Sequence, residues 1–93
     1  MAQVKRIRVY LIDDHNVVRE AVASLLEAEP DISVVGQSSA AREGINGVVE
    51  SQATLVIIDL KMPGMSGLSA ISEIAALAPA AGIVVFTMYD NPA

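Results

Sequence analysis

Thr54-Leu55-Val56-Ile57-Ile58-Asp59, with the turn that follows it at Met62-Pro63-Gly64-Met65-Ser66-Gly67, decides the fold. The run is apolar without interruption, rich in β-branched residues, and stops on a carboxylate. A strand with one wet face alternates polar and apolar residues. A strand covered on both faces does not, and that pattern belongs to parallel sheets. The dense Gly and Pro of the next segment is turn chemistry. Beyond it, Leu68, Ile71, Ile74, Ala75 and Ala78 fall on one side of a helix over 68–77, which Pro79 ends. Ile83-Val84-Val85-Phe86-Thr87 reads as another buried strand.

The same alternation runs upstream. Ile7-Arg8-Val9-Tyr10-Leu11-Ile12 is a strand that ends on Asp13-Asp14. From Asn16 to Glu29 the apolar residues fall at 17, 18, 21, 22, 25 and 26, which is helical spacing, with Asn16 as N-cap and Pro30 as the stop. A second strand covers 32–36, and a helix weakened by Gly44 and Gly47 covers 40–50. The order β-α-β-α-β-α-β predicts an α/β fold, a doubly wound parallel sheet with right-handed crossovers and helices on both faces. Ligands of such sheets bind outside the carboxyl ends of the strands, where strand order reverses.

Composition narrows the chemistry. A chain of 93 residues with 53% hydrophobic and 18% charged side chains is one domain with a core, not a disordered segment. The absence of cysteine excludes disulfide scaffolds and thiolate metal sites, and a single histidine, His15, excludes a multi-histidine site. No apolar run reaches the ~18–20 residues of a membrane span. The basic start at Lys5, Arg6 and Arg8 is followed by too short an apolar stretch for a signal peptide, so the expected location is the cytoplasm. A net charge of −5 argues against nucleic-acid binding by this chain itself, and the basic start reads as a solvated flank.

Three carboxylates and a hydroxyl (Asp13, Asp14, Asp59 and Thr87) therefore gather at the binding edge. Two carboxylates ~4 Å apart repel by about 4 kcal/mol at an effective dielectric of 20, so such a cluster holds either a proton or a cation. Oxygen donors select a hard cation, Mg²⁺ before Ca²⁺ or Mn²⁺. Each residue alone has a plainer reading. Paired acids dress helix N-termini, Asp starts turns, Thr fills strands, His15 begins a helix, and Met62, Met65 and Met88 pack. The signal is the joint placement.

These residues resemble the receiver domain of two-component response regulators. Leu11-Ile12-Asp13-Asp14-His15, the stretch Val56 to Gly67, and Val84-Val85-Phe86-Thr87 match three local signatures of that family. Asp-Asp-His followed by Val17-Val18-Arg19-Glu20 is most similar to the NarL/FixJ (LuxR-type) subfamily, whose members usually carry a C-terminal helix-turn-helix. The resemblance implies a flavodoxin-like strand order 2-1-3-4, with Asp59 as phosphoacceptor. It implies Asp14, Asp59 and the Lys61 carbonyl as direct Mg²⁺ ligands, Asp13 as an acid that usually reaches the metal through water, and Thr87 as the hydroxyl that bonds the phosphoryl group. It also implies a sensor histidine kinase as partner, no turnover enzyme, and DNA contact only through an output domain outside this sequence.

The resemblance runs to Ala93, whereas the family fold continues through a further helix, a fifth strand with a phosphoryl-pairing lysine, and a final helix. Residues 1–93 are thus expected to form an incomplete receiver whose strand-four edge invites a homodimer or a swapped oligomer. A different class of function, a binding or dimerisation module that does not signal, competes with the phosphoryl-accepting one. A phosphatase of the haloacid-dehalogenase type would need an acid two residues after Asp59, where Lys61 stands.

Overall fold

The computed structural model describes residues 6–86. Four parallel strands form one sheet in the order β2-β1-β3-β4: β1 Ile7–Ile12, β2 Ile32–Ser38, β3 Leu55–Ile58 and β4 Gly82–Val85. The predicted doubly wound order is observed. Three helices link them: α1 Asn16–Glu27, α2 Ala41–Ser51 and α3 Gly67–Leu77. The expected strand end at Thr87, together with Met88 and Tyr89, lies outside the described residues.

Successive side chains of a strand point to opposite faces, and the core divides accordingly. Tyr10, Ile12, Val56 and Ile58 pack with Ala41, Ile45 and Val48 of α2 and Ala70 and Ile74 of α3. Val9 and Leu11 pack on the other face against Ala23, Val22 and Leu26 of α1. β3 is half-buried on one face and fully buried on the other, so its unbroken apolar run matches cover on both sides. Met62 is buried and Met65 packs beside it, as expected of space-filling methionines.

Several local expectations are corrected. α1 starts at Asn16 itself, His15 occupies the N-cap, and the helix ends two residues earlier than Pro30 required. Val17 and Leu25 are 81% and 72% exposed. The doubled apolar pairs straddle the stripe, and only one member of each can face the sheet. Leu68, placed on the packed side of α3, is 71% exposed. β2 runs past Gly36 because a bulge leaves Val35 unpaired: Val9 pairs with Val34, and Tyr10 pairs with Gly36. The two glycines of α2 have a packing cause. A Cβ at Gly47 would overlap the Tyr10 ring, and one at Gly44 would lie 2.6 Å from Ile12 Cδ1. The helix gives up propensity to lie close on the sheet. Arg42 of α2 and Glu73 of α3 clasp across the surface with two hydrogen bonds of 2.6 and 2.9 Å.

Candidate functional site

Strand order reverses between β1 and β3. From the end of β1 the chain turns to α1 on one face, and from the end of β3 it turns to α3 on the other, which opens a crevice between the two loops. Both loops start as continuations of the sheet. The Asp13 N–H donates to the Ser38 carbonyl at 3.0 Å, and the Asp59 N–H donates to the Ile12 carbonyl at 3.0 Å. Main-chain bonding thus fixes where the two acids begin. Asp13 is 6% exposed and Asp59 1%.

The loops then fold on their own carboxylates. Asp13 Oδ1 accepts from the His15 N–H at 2.8 Å, and Asp59 Oδ1 accepts from the Lys61 N–H at 3.0 Å. Arg19 braces the first loop, donating from Nη1 to the Asp13 carbonyl and to Asn16 Oδ1, each at 2.8 Å. The first turn returns the imidazole over the acids. His15 Nδ1 lies 3.0 Å from Asp13 Oδ1, 3.2 Å from Asp14 Oδ1 and 3.5 Å from Asp59 Oδ2. The first contact has hydrogen-bond geometry. The other two are close approaches only, for Asp14 Oδ1 and Asp59 Oδ2 are buried without a hydrogen-bond partner. The hydrogen bond to Asp13 raises the His15 pKa above its usual value; desolvation opposes it, and the charges of Asp14, Asp13 and Asp59 add to the rise.

One donor atom from each of Asp13, Asp14, His15 and Asp59 lies within 4.8 Å of the others. The oxygen donors suit a hard divalent cation. The fit is more than compositional: Asp59 Oδ2 is fully buried, faces the cluster, and has no protein donor to satisfy it. A buried carboxylate oxygen without a partner is costly unless something outside the chain completes it.

The three acids inferred from the sequence are therefore brought together, and Lys61 contributes its amide to Asp59. Thr87 lies outside the described residues. Sequence reasoning missed His15 as a member of the cluster. Its position beside two acids was visible, but the turn that aims its ring was not.

Residues 9–93 match the family described as response regulator receiver domain. Among curated relatives, the transcriptional regulatory protein LiaR of Bacillus subtilis (strain 168) is 42% identical over 83 residues, which cover 89% of this chain and 39% of LiaR. The chain therefore spans well under half the length of that relative. The isolated REC domain of RcsB from Salmonella enterica serovar Typhimurium, solved with the phosphomimetic BeF3-, superposes with a TM-score of 0.84 at 32% identity, over 95% of this chain and 66% of that one. A structure of two RcsB dimers bound to two parallel DNAs superposes with a TM-score of 0.85 at 33% identity, over 96% of this chain and 48% of that one.

Proposed function

The chain belongs to the response regulator receiver domain family of two-component signalling, and from that premise we propose that it accepts a phosphoryl group on Asp59 from a sensor histidine kinase. One observation carries the reading. Asp59 carries a buried, unpartnered carboxylate oxygen, Oδ2, within a cluster of acids that fits a divalent cation. In the step, a bond forms between an Asp59 carboxylate oxygen and phosphorus. The P–N bond to the kinase imidazole breaks, and its electron pair stays on the ring nitrogen.

Asp13, Asp14 and Asp59, with the Lys61 carbonyl, would hold Mg²⁺. The ion supplies positive charge that lets an anionic phosphoryl group approach an anionic carboxylate. The Lys61 amide fixes the orientation of the Asp59 carboxylate by holding Oδ1 at 3.0 Å. Thr87 is the hydroxyl proposed to bond the transferred group and to report its arrival by shifting the surface around the end of β4. The proposed setting is the cytoplasm, and the proposed output is transcription through a DNA-binding domain outside residues 1–93. No helix among the described residues is long and apolar enough to cross a membrane.

The test is incubation with Mg²⁺ and acetyl phosphate, read by intact mass. A gain of one phosphoryl group is expected, and Asp59→Asn abolishes it. A protein that gains none, or a variant that still gains it, refutes the proposal. A second reading, a module that associates without signalling, is favoured by the exposed apolar side chains Val84, Val85 and Phe86 along the β4 edge. On that reading the protein self-associates and stays silent to acetyl phosphate.

A further inference from the structure

We propose that His15 is a nitrogen ligand of the cation site, so that the site takes a mixed N,O donor set and discriminates in favour of later first-row divalent ions over Mg²⁺. The inference rests on the reading that the acidic cluster holds a divalent cation. It adds a donor that the oxygen-only set leaves out.

Geometry supplies the first argument. Metal–ligand bonds of about 2.1 Å place neighbouring donors about 3.0 Å apart in an octahedron and about 3.4 Å apart in a tetrahedron. His15 Nδ1 stands 3.0, 3.2 and 3.5 Å from one oxygen each of Asp13, Asp14 and Asp59. Each of these three distances matches an edge of a coordination shell that has the imidazole nitrogen at one corner. The second argument is independent of the acids being clustered. Two of those oxygens, Asp14 Oδ1 and Asp59 Oδ2, are buried and have no hydrogen-bond partner, although His15 Nδ1 is near both. Nδ1 can carry only one hydrogen, and Asp13 Oδ1 is its hydrogen-bond partner, so the ring satisfies neither oxygen, whereas an ion bound among them would complete both.

The ring is reachable from solvent, and Nδ1 is engaged only by Asp13 among the described residues. The His15 side chain is 47% exposed, and no other described group bonds it. Its backbone is fixed by the same turn that fixes Asp13, which holds the donor in register with the acids. Mg²⁺ gains little from a nitrogen and dehydrates reluctantly, whereas affinity for imidazole climbs from Mn²⁺ through Co²⁺ to Zn²⁺.

Two measurements test the proposal on the full chain with any purification tag removed. Calorimetric titration with Mg²⁺ and with Co²⁺ gives an affinity ratio for the wild type and for His15→Ala. The ratio is expected to fall tenfold or more in the variant, with Mg²⁺ affinity little changed. Pulsed electron paramagnetic resonance of the Mn²⁺-loaded wild type needs no variant. His15 is the single histidine of the chain, so imidazole-nitrogen coupling has one source. Coupling together with the fallen ratio supports the ligand. An unchanged ratio without coupling overturns it. So does an equal tightening of both ions in His15→Ala, which would make the ring a resident competitor of the metal. Failure of the wild type to bind any divalent ion overturns the cation reading of the site itself, and the two failures are thereby distinguished.

Discussion

His15 joins three carboxylates on one side and solvent on the other, so its protonation is coupled to folding. In the metal-free protein its pKa is raised above the usual 6.5, chiefly by the hydrogen bond to Asp13 and then by the charges of Asp14, Asp13 and Asp59. A group whose folded pKa lies above its unfolded one stabilises the fold fully below the unfolded value. That contribution is lost as pH rises through the folded pKa. The melting temperature of the metal-free protein should therefore fall as pH rises above the usual 6.5, and the fall should be smaller in His15→Gln. Equal slopes would contradict it. Elsewhere, the Tyr10 hydroxyl and Ser38 Oγ are 2.5 Å apart and buried. Tyr10→Phe strands the serine and should cost about 1–3 kcal/mol in urea denaturation. Adding Ser38→Ala should cost less than the sum of the single changes. The meeting of Asp13, Asp14 and Asp59 was legible from the sequence, because each follows a strand and strand ends share an edge. The Tyr10–Ser38 pair was not, because the bulge at Val35 sets which residues of β2 face Tyr10.

At the scale of elements, the apolar runs of β1, β3 and β4 located the sheet, but β4, expected to be buried, is exposed at Val84 and Val85, because as an edge strand it has a neighbour on one side only among the described residues. Helix faces were harder to read. In α1 the apolar residues come in adjacent pairs, and periodicity alone does not say which member turns inward. The sheet selects Val22, Ala23 and Leu26. The start of α3 was marked by turn residues but not by the reason for its glycine. A Cβ on Gly67 would lie 2.8 Å from Leu60 Cα and 2.9 Å from the Leu60 carbonyl oxygen, which are backbone atoms that cannot swing aside. Gly67→Ala should cost about 1–3 kcal/mol by overpacking. It should also loosen the loop that carries Asp59, visible as faster amide exchange at Lys61. A variant with unchanged denaturation midpoint would show that α3 can slide to make room.

For the molecule as a whole, the sheet has two edge strands, β2 and β4, and β4 is the more exposed. Among the described residues β4 pairs only with β3, and Val84 and Val85 are each 47% exposed with Phe86 beside them at 37%. An apolar edge of this kind recruits a second chain. The weight-average mass in light scattering should climb with concentration, and Val84→Lys should return it toward one chain. A constant single-chain mass for the wild type would defeat this expectation. At the carboxyl ends of β1 and β3, Asp13 and Asp59 each lend one oxygen to the amide two residues on. Their torsions are frozen before any guest arrives. A cage assembled in advance cannot swell or shrink to suit each visitor, so ionic radius becomes a sieve, and large ions such as Ca²⁺ should be turned away by stiffness as much as by chemistry.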